Sequence, residues 1–247
     1  SQWGCRGGDV HRVPFYFSEV EMLKTREEMY RAPQVTGKIV ADVGCNKGYG
    51  AKILSRFAHK VVGIDVDIEN IMVARGKKGG KNIEYRCENV LETEYAAEYD
   101  TVVCYKVLEH IQPKDTGKFL QKLNSMLKED GILYISAPNM LVYDCYADTK
   151  GHINEMSYVR LLVNLRDAGF KTIKMFGVLS HSRTELRLLG FFKLQARIDG
   201  ETNNLTPFKK LLRKCIRLPF KLKPNRGVIN ERPELSSIAL FVCKKVK

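Results

Sequence analysis

The sequence predicts an α/β fold, a parallel sheet covered by helices on both faces, and three observations predict it. From Lys38 onward, short β-type runs alternate with helical patterns, the order of elements that builds parallel sheets. The first run leads into a glycine-rich turn at the start of a helix, Asp42-Val-Gly-Cys-Asn-Lys-Gly-Tyr-Gly50. The second run ends in an acid, Asp65, 23 residues after Asp42. With 247 residues, 44% of them hydrophobic and 28% charged, the chain can bury the core of one large domain. The same composition excludes disordered, collagen-like and coiled-coil classes.

Taken in order, residues 1–36 begin irregularly and then read as a helix over SEVEMLKTREEMYRA, ended near Pro33, a cap ahead of the main domain. The predicted strands are KIVADV, KVVGID, NIEYR, YDTVVCY and GILYISA, with helices near 49–57, 68–76 and 115–128. In the third of these helices Phe119, Leu120, Leu123, Met126 and Leu127 form one apolar stripe, and Glu129-Asp130-Gly131 supplies its stop. A further helix, YVRLLVNLRDAGF, and a strand, KTIKMFGV, follow, and SSIALFVCKK forms the last strand. Residues 179–235 are too long for a plain connection and are expected to be an insertion with its own helices.

Charge is concentrated in the tail. Of the net +13, +10 lies between Leu205 and Lys247. There PFKKLLRKCIRLPFKLKP carries seven bases and no acid, with Phe208, Leu211, Leu212, Cys215 and Ile216 on one helical face. Lys209, Lys210, Arg213, Lys214 and Arg217 are therefore expected to dock to an anionic surface, a membrane or RNA, unless the helix only packs on its own domain. No apolar run reaches the roughly 18 residues that span a bilayer, and the start SQWGCRGGDV lacks the pattern of a signal peptide. Seven cysteines without CxxC pairs or zinc spacing read as reduced thiols. A cytoplasmic protein is the expectation.

Glycines at a strand-to-helix turn let a ligand approach the backbone, and exposed amides there favour electronegative groups. An acid at the end of the next strand can accept hydrogen bonds from both hydroxyls of a ribose. Asn46 and Tyr49 stand where a dinucleotide fingerprint needs glycine, which disfavours a dehydrogenase. At this level Asp65 can equally be the N-terminal acid of the helix IENIMVAR.

The run KIVADVGCNKGYG, then VVGIDVD, CENVLE, YDTVVCYKVLEHI and LKEDGILYISAPN resembles the ordered motifs of the class I S-adenosylmethionine-dependent methyltransferases over about residues 37–178. The resemblance implies a Rossmann-like, seven-stranded sheet whose last strand is antiparallel, with an N-terminal helical cap (1–36), a cofactor-binding core (37–178), a basic substrate region (179–235) and the last core strand (236–247). It implies S-adenosyl-L-methionine as cofactor, S-adenosyl-L-homocysteine as product, and a transferase. By motif, Asp42 and the turn of Gly44, Cys45, Asn46 and Gly48 would hold the methionine part and pack near the ribose. Asp65 would bind the ribose hydroxyls, and Val66 would lie against the adenine. Glu88, Asn89 and Val90 would meet the adenine, and Cys104 and Tyr105 would face the sulfonium. Asn46 replaces a usual glycine, and Asn tolerates left-handed angles.

Methyl transfer to a hydroxyl needs alignment and a base. Glu109 and His110, after the fourth strand, and His152, in GHINEMS, are the candidates, against the alternative of capping and packing. The placement of Lys106-x-x-Glu109-His110 resembles metal-assisted O-methyltransferases of the ubiquinone pathway and of small-RNA ends. Lys106 stands where those have an acid, and its ammonium would repel a divalent ion, so no metal is expected. The expected acceptor is an oxygen of a small molecule, sugar or glycan. The alternatives are an RNA methyltransferase, and a catalytically silent cofactor-binding scaffold.

Overall fold

A computed structural model describes residues 27–31, 33–77, 80–139, 151–180, 229, 231 and 236–246. Its seven strands are β1 (Ile39–Val43), β2 (Lys60–Asp65), β3 (Ile83–Cys87), β4 (Tyr99–Tyr105), β5 (Leu127–Pro138), β6 (Phe170–Ser180) and β7 (Ser236–Lys245). They form one sheet in the order β3-β2-β1-β4-β5-β7-β6. β3, β2, β1, β4 and β5 are parallel, and β7 runs antiparallel between β5 and β6. The helices are α1 (Tyr49–Leu54), α2 (Ile68–Gly76), α3 (Thr116–Met126) and α4 (Tyr158–Asp167).

Central strands of a sheet covered on both faces must be apolar on both faces. β1 and β4 meet that rule, and each face has its own core. On one, Val43, Cys104, Leu133 and Phe241 pack with Phe119, Leu120 and Leu123 of α3 and Leu161 and Leu165 of α4. On the other, Val40, Val61, Val103 and Leu240 pack with Ala51, Ile53 and Leu54 of α1 and with Met29 and Tyr30. Residues 27–31 form a helical turn. Tyr30 is its anchor, since a Cβ added to Gly50 would lie 2.1 Å from the Tyr30 ring.

Several boundaries differ from expectation. α3 stops at Met126, two residues early, because the fully buried Leu127 already pairs with Tyr99 as the first residue of β5. Asp130 within β5 takes φ 61°, in the stretch where the pairing with β4 shifts register. α1 ends at Leu54, and residues 55–57 turn toward β2. α4 ends at Asp167, where Gly169 at φ 82° breaks the helix and lets β6 start at Phe170. The helix over 18–26, the insertion helices and the basic segment from Phe208 to Lys223 lie outside the described residues. Among the described residues, no helix is long and apolar enough to cross a membrane.

The glycine turn is fixed sterically. Gly44 adopts φ 73°, and a Cβ there would lie 2.2 Å from Val107 Cγ2. Gly44→Ala is therefore expected to destabilise the chain by about 2–4 kcal/mol, from left-handed strain plus overpacking. A fall in the urea midpoint at unchanged slope is the measurement.

Candidate functional site

The strand order reverses between β1 and β4, and in open α/β sheets ligands bind beyond the carboxyl ends of the strands at such a point. The predicted residues gather there. Gly44, Asn46 and Gly48 have φ of 73°, 48° and 76°, so Asn46 takes the left-handed angle without a glycine. The amides of Gly44 and Cys45 donate to Ile64 O at 2.8 and 3.1 Å, which ties the turn to the end of β2.

Asp65 closes the same turn. Its Oδ2 accepts from the Asn46 amide at 2.8 Å and its Oδ1 from the Asp67 amide at 3.0 Å. The cap of α2 is Asp67, which accepts from the amides of Glu69 and Asn70 at 2.9 and 3.3 Å. That assigns the helix-capping role to Asp67 and leaves Asp65 at the turn. Each carboxylate oxygen has a second lone pair, so Asp65 can also accept from vicinal hydroxyls. Val66 beside it is 69% exposed, an apolar surface available to a flat ring.

Asp42 is fully buried. The Tyr30 hydroxyl donates to its Oδ1 at 3.2 Å, and among the described residues its Oδ2 has no hydrogen-bond partner. Burial pushes the carboxyl up to about 7, against the pull of the Tyr30 hydroxyl and the Ala51 amide. A buried oxygen without a donor fits a ligand that brings one, as an ammonium does. Cys45 is also buried, and its thiol is pushed up by desolvation and then by Asp42 and Asp65, so it is no nucleophile at neutral pH.

Other predicted contacts have structural work of their own. Glu88 Oε2 accepts from the Tyr95 hydroxyl at 3.2 Å, and the Glu88 amide donates to Asp65 O at 3.1 Å. Asn89 Oδ1 accepts from the Leu91 amide at 3.1 Å and holds the loop after β3 as a turn. The Val90 side chain lies in the core. Cys104 is fully buried beside Leu108, and Tyr105 donates from its hydroxyl to Met29 O at 3.1 Å with its ring edge-on to Tyr30 at 5.1 Å. Both side chains are packed away, so the end of β4 can offer a ligand chiefly its backbone.

The second centre follows β4. Glu109, His110 and His152, brought together from two separate loops, each place a ligand-type atom within 4.8 Å of the others. The loop that carries His152 is stapled to the 3₁₀ turn Leu108–His110. The amides of Ile153 and Asn154 donate to Glu109 O at 2.9 and 3.1 Å. The buried Asn154 Nδ2 donates to Thr116 Oγ1 at 2.8 Å and to Leu108 O at 3.3 Å. His110 Nδ1 lies 2.8 Å from Gly151 O and His152 Nδ1 lies 3.0 Å from Glu155 Oε1. A carbonyl and a carboxylate can only accept, so each Nδ1 carries the proton and the lone pair of each neutral ring is on Nε2. The rings meet edge-on at 5.1 Å. Sequence reasoning missed Tyr30, Asn154 and Glu155. The i, i+3 spacing of His152 and Glu155 was a readable signal for the last, whereas the partner of Tyr30 is set only by the fold.

A glycine turn, an acid on the next strand and two oriented imidazoles gather at the switch point, an arrangement that fits a nucleoside-type ligand. Residues 41–135 match the family described as the methyltransferase domain. A Mycobacterium tuberculosis protein named as a probable S-adenosylmethionine-dependent methyltransferase is 30% identical over 60% of this chain and 54% of its own. A ubiquinone biosynthesis O-methyltransferase of Bradyrhizobium diazoefficiens is 35% identical over 42% of this chain and 41% of its own. The chain thus spans about half the length of the curated relatives it matches. A Burkholderia thailandensis 1,6-didemethyltoxoflavin-N1-methyltransferase, solved with S-adenosylhomocysteine, superposes with TM-score 0.57 at 15% identity, covering 93% of this chain and 80% of its own. An Archaeoglobus fulgidus methyltransferase gives TM-score 0.59 at 17% identity, covering 91% and 94%. Residues 41–135 thus carry a methyltransferase domain, and the chain resembles S-adenosylmethionine-dependent methyltransferases in sequence and in fold.

Asp65→Ala is expected to weaken cofactor binding at least about tenfold, the loss of charge-assisted hydrogen bonds. It also strips acceptors from the Asn46 and Asp67 amides. Calorimetry with the cofactor reads the first effect, and an unchanged affinity would remove Asp65 from the site.

Proposed function

We propose that this chain is a methyltransferase acting on an oxygen of a small molecule, sugar or glycan. The observation that carries the reading is the pair of oriented imidazoles beside Glu109 at the carboxyl edge of β4, a proton acceptor placed where a hydroxyl would meet the cofactor site. When bound, the cofactor supplies an electrophilic methyl group on a sulfonium. Asp42, the Gly44–Gly48 turn, Asp65 and Val66 bind and orient it, with the loop at Glu88, Asn89 and Val90 shaping the far side and the ends of Cys104 and Tyr105 bordering the reaction centre. His152, held by Glu155, takes the acceptor's proton at Nε2. His110 and Glu109 keep that proton acceptor in place and polar.

The ubiquinone O-methyltransferase relatives support oxygen as the accepting atom. Lys209, Lys210, Arg213, Lys214 and Arg217 give the chain the charge to attract an anionic acceptor or membrane, and the free thiols of Cys45, Cys87, Cys104 and Cys243 suit the cytoplasm. The test is incubation of a cell extract with methyl-labelled cofactor, followed by mass spectrometry. Label on an oxygen of a glycan or metabolite supports the reading. Label on RNA makes the RNA reading correct, and no labelled product favours the silent scaffold.

A further inference from the structure

Glu109 carries an electrostatic demand that its own neighbours do not meet by hydrogen bonding. Its side chain is fully buried, and neither carboxylate oxygen has a hydrogen-bond partner among the described residues. Two imidazoles whose ring nitrogens lie within 4.8 Å complete a set of one oxygen and two nitrogen donors, the donor set that suits manganese, zinc or cobalt. A buried carboxylate in such surroundings requires a cation or a proton. Lys106 stands beside it. Its Nζ lies 3.8 Å from Glu109 Oε1, and its side chain is 33% exposed. The residue sits at φ 61°, an angle that a long side chain adopts only when its surroundings impose it. Its amide donates to Ser136 O at 3.2 Å, which fixes that strained backbone at the end of β4.

We propose that Lys106 is the built-in cation of the Glu109–His110–His152 cluster, a positioning residue whose ammonium stands beside the Glu109 carboxylate and keeps a divalent ion out. At these distances an ammonium and a divalent ion repel strongly in a partly buried setting, so only one of them occupies the cluster at a time. The covalently attached charge wins at ordinary metal concentrations because it is always present. Removing it exposes three donors already assembled by the Asn154 staple and the Gly151 and Glu155 hydrogen bonds, so the site needs no refolding to accept a metal. This deepens the function proposed above, and its readout is separate from catalysis. An absence of methyl transfer to every acceptor would sink that function and leave the metal measurement standing.

The experiment is a manganese titration of the full chain followed by electron paramagnetic resonance, with zinc calorimetry in parallel. Lys106→Asn suits the left-handed backbone, and Lys106→Glu adds a fourth donor. The Asn variant is expected to bind one metal ion at least tenfold tighter than the wild type, and the Glu variant tighter again. Lys106→Arg should exclude the metal as the wild type does. Adding His110→Ala to Lys106→Asn should abolish the gained binding and so place it in the cluster. Wild-type affinity equal to that of Lys106→Asn overturns the proposal, as does a gain that survives His110→Ala. If Lys106→Asn fails to fold, the double variant Lys106→Asn/Glu109→Gln decides. Recovery of the fold supports Lys106 as the counter-charge of Glu109, and no recovery overturns it.

Discussion

Methyl transfer by His152→Ala is expected to be about 10²–10⁴-fold slower than by the wild type, the usual worth of a positioned proton acceptor. Cofactor affinity should not change, because His152 lies between β5 and α4, outside the glycine turn. Glu155→Gln should fall between the two. It keeps the shape of the side chain but loses the charge that holds Nδ1–H of His152 and stabilises the imidazolium that forms. The imidazole is only useful if Nε2 faces the acceptor, and Glu155 is what fixes the tautomer. The measurement is kcat for labelled methyl transfer together with calorimetric cofactor affinity. An unchanged kcat in His152→Ala would transfer the proton-accepting role to His110, whose Nδ1 is held by Gly151 O.

Asp42→Asn is expected to stabilise the chain above neutral pH while impairing the site. The Asp42 carboxyl is pushed up to about 7 in the folded chain from 3.8, chiefly by burial. Between those values the folded state holds a proton that the unfolded state has released. The contribution of this group is therefore fully present below about pH 4 and is lost as pH rises toward 7. Over that window the loss amounts to roughly 4 kcal/mol. Asparagine cannot titrate, so the melting temperature of Asp42→Asn should exceed the wild-type value at pH 8 and converge on it near pH 4. Cofactor binding should move the other way. An ammonium beside Oδ2 favours the charged carboxylate, so wild-type affinity should rise as pH passes 7, and the asparagine variant should be at least about tenfold weaker with no such rise. Equal melting curves at pH 8 would show that Asp42 is not held as a buried acid.

The strands were legible because their residues leave little choice. IVADV and TVVCY are apolar on both faces and fit only the centre of a covered sheet. The glycine turn was legible for a similar reason, since its left-handed residues are Gly44, Asn46 and Gly48, the types that tolerate the angle. The ends of α3 and α4 were less so. Leu127 continues the apolar stripe of α3, and only its pairing with Tyr99 makes it a strand residue. No local pattern contains that pairing.

The sequence by itself thus determined the α/β class, the glycine turn and the acid that follows it, because each depends on period, backbone angle or charge within one short segment. Tertiary structure decided which acids serve which purpose. Asp67 caps α2, Asp65 closes the turn, and Asp42 is buried against Tyr30 from another element. It also decided the second centre, since Glu109, His110 and His152 meet only where Asn154 staples the GHIN loop to the turn after β4. Hydrogen bonds between residues so far apart in the chain carry no trace in local spacing. Their energy depends on burial and direction, which exist only once the chain has folded.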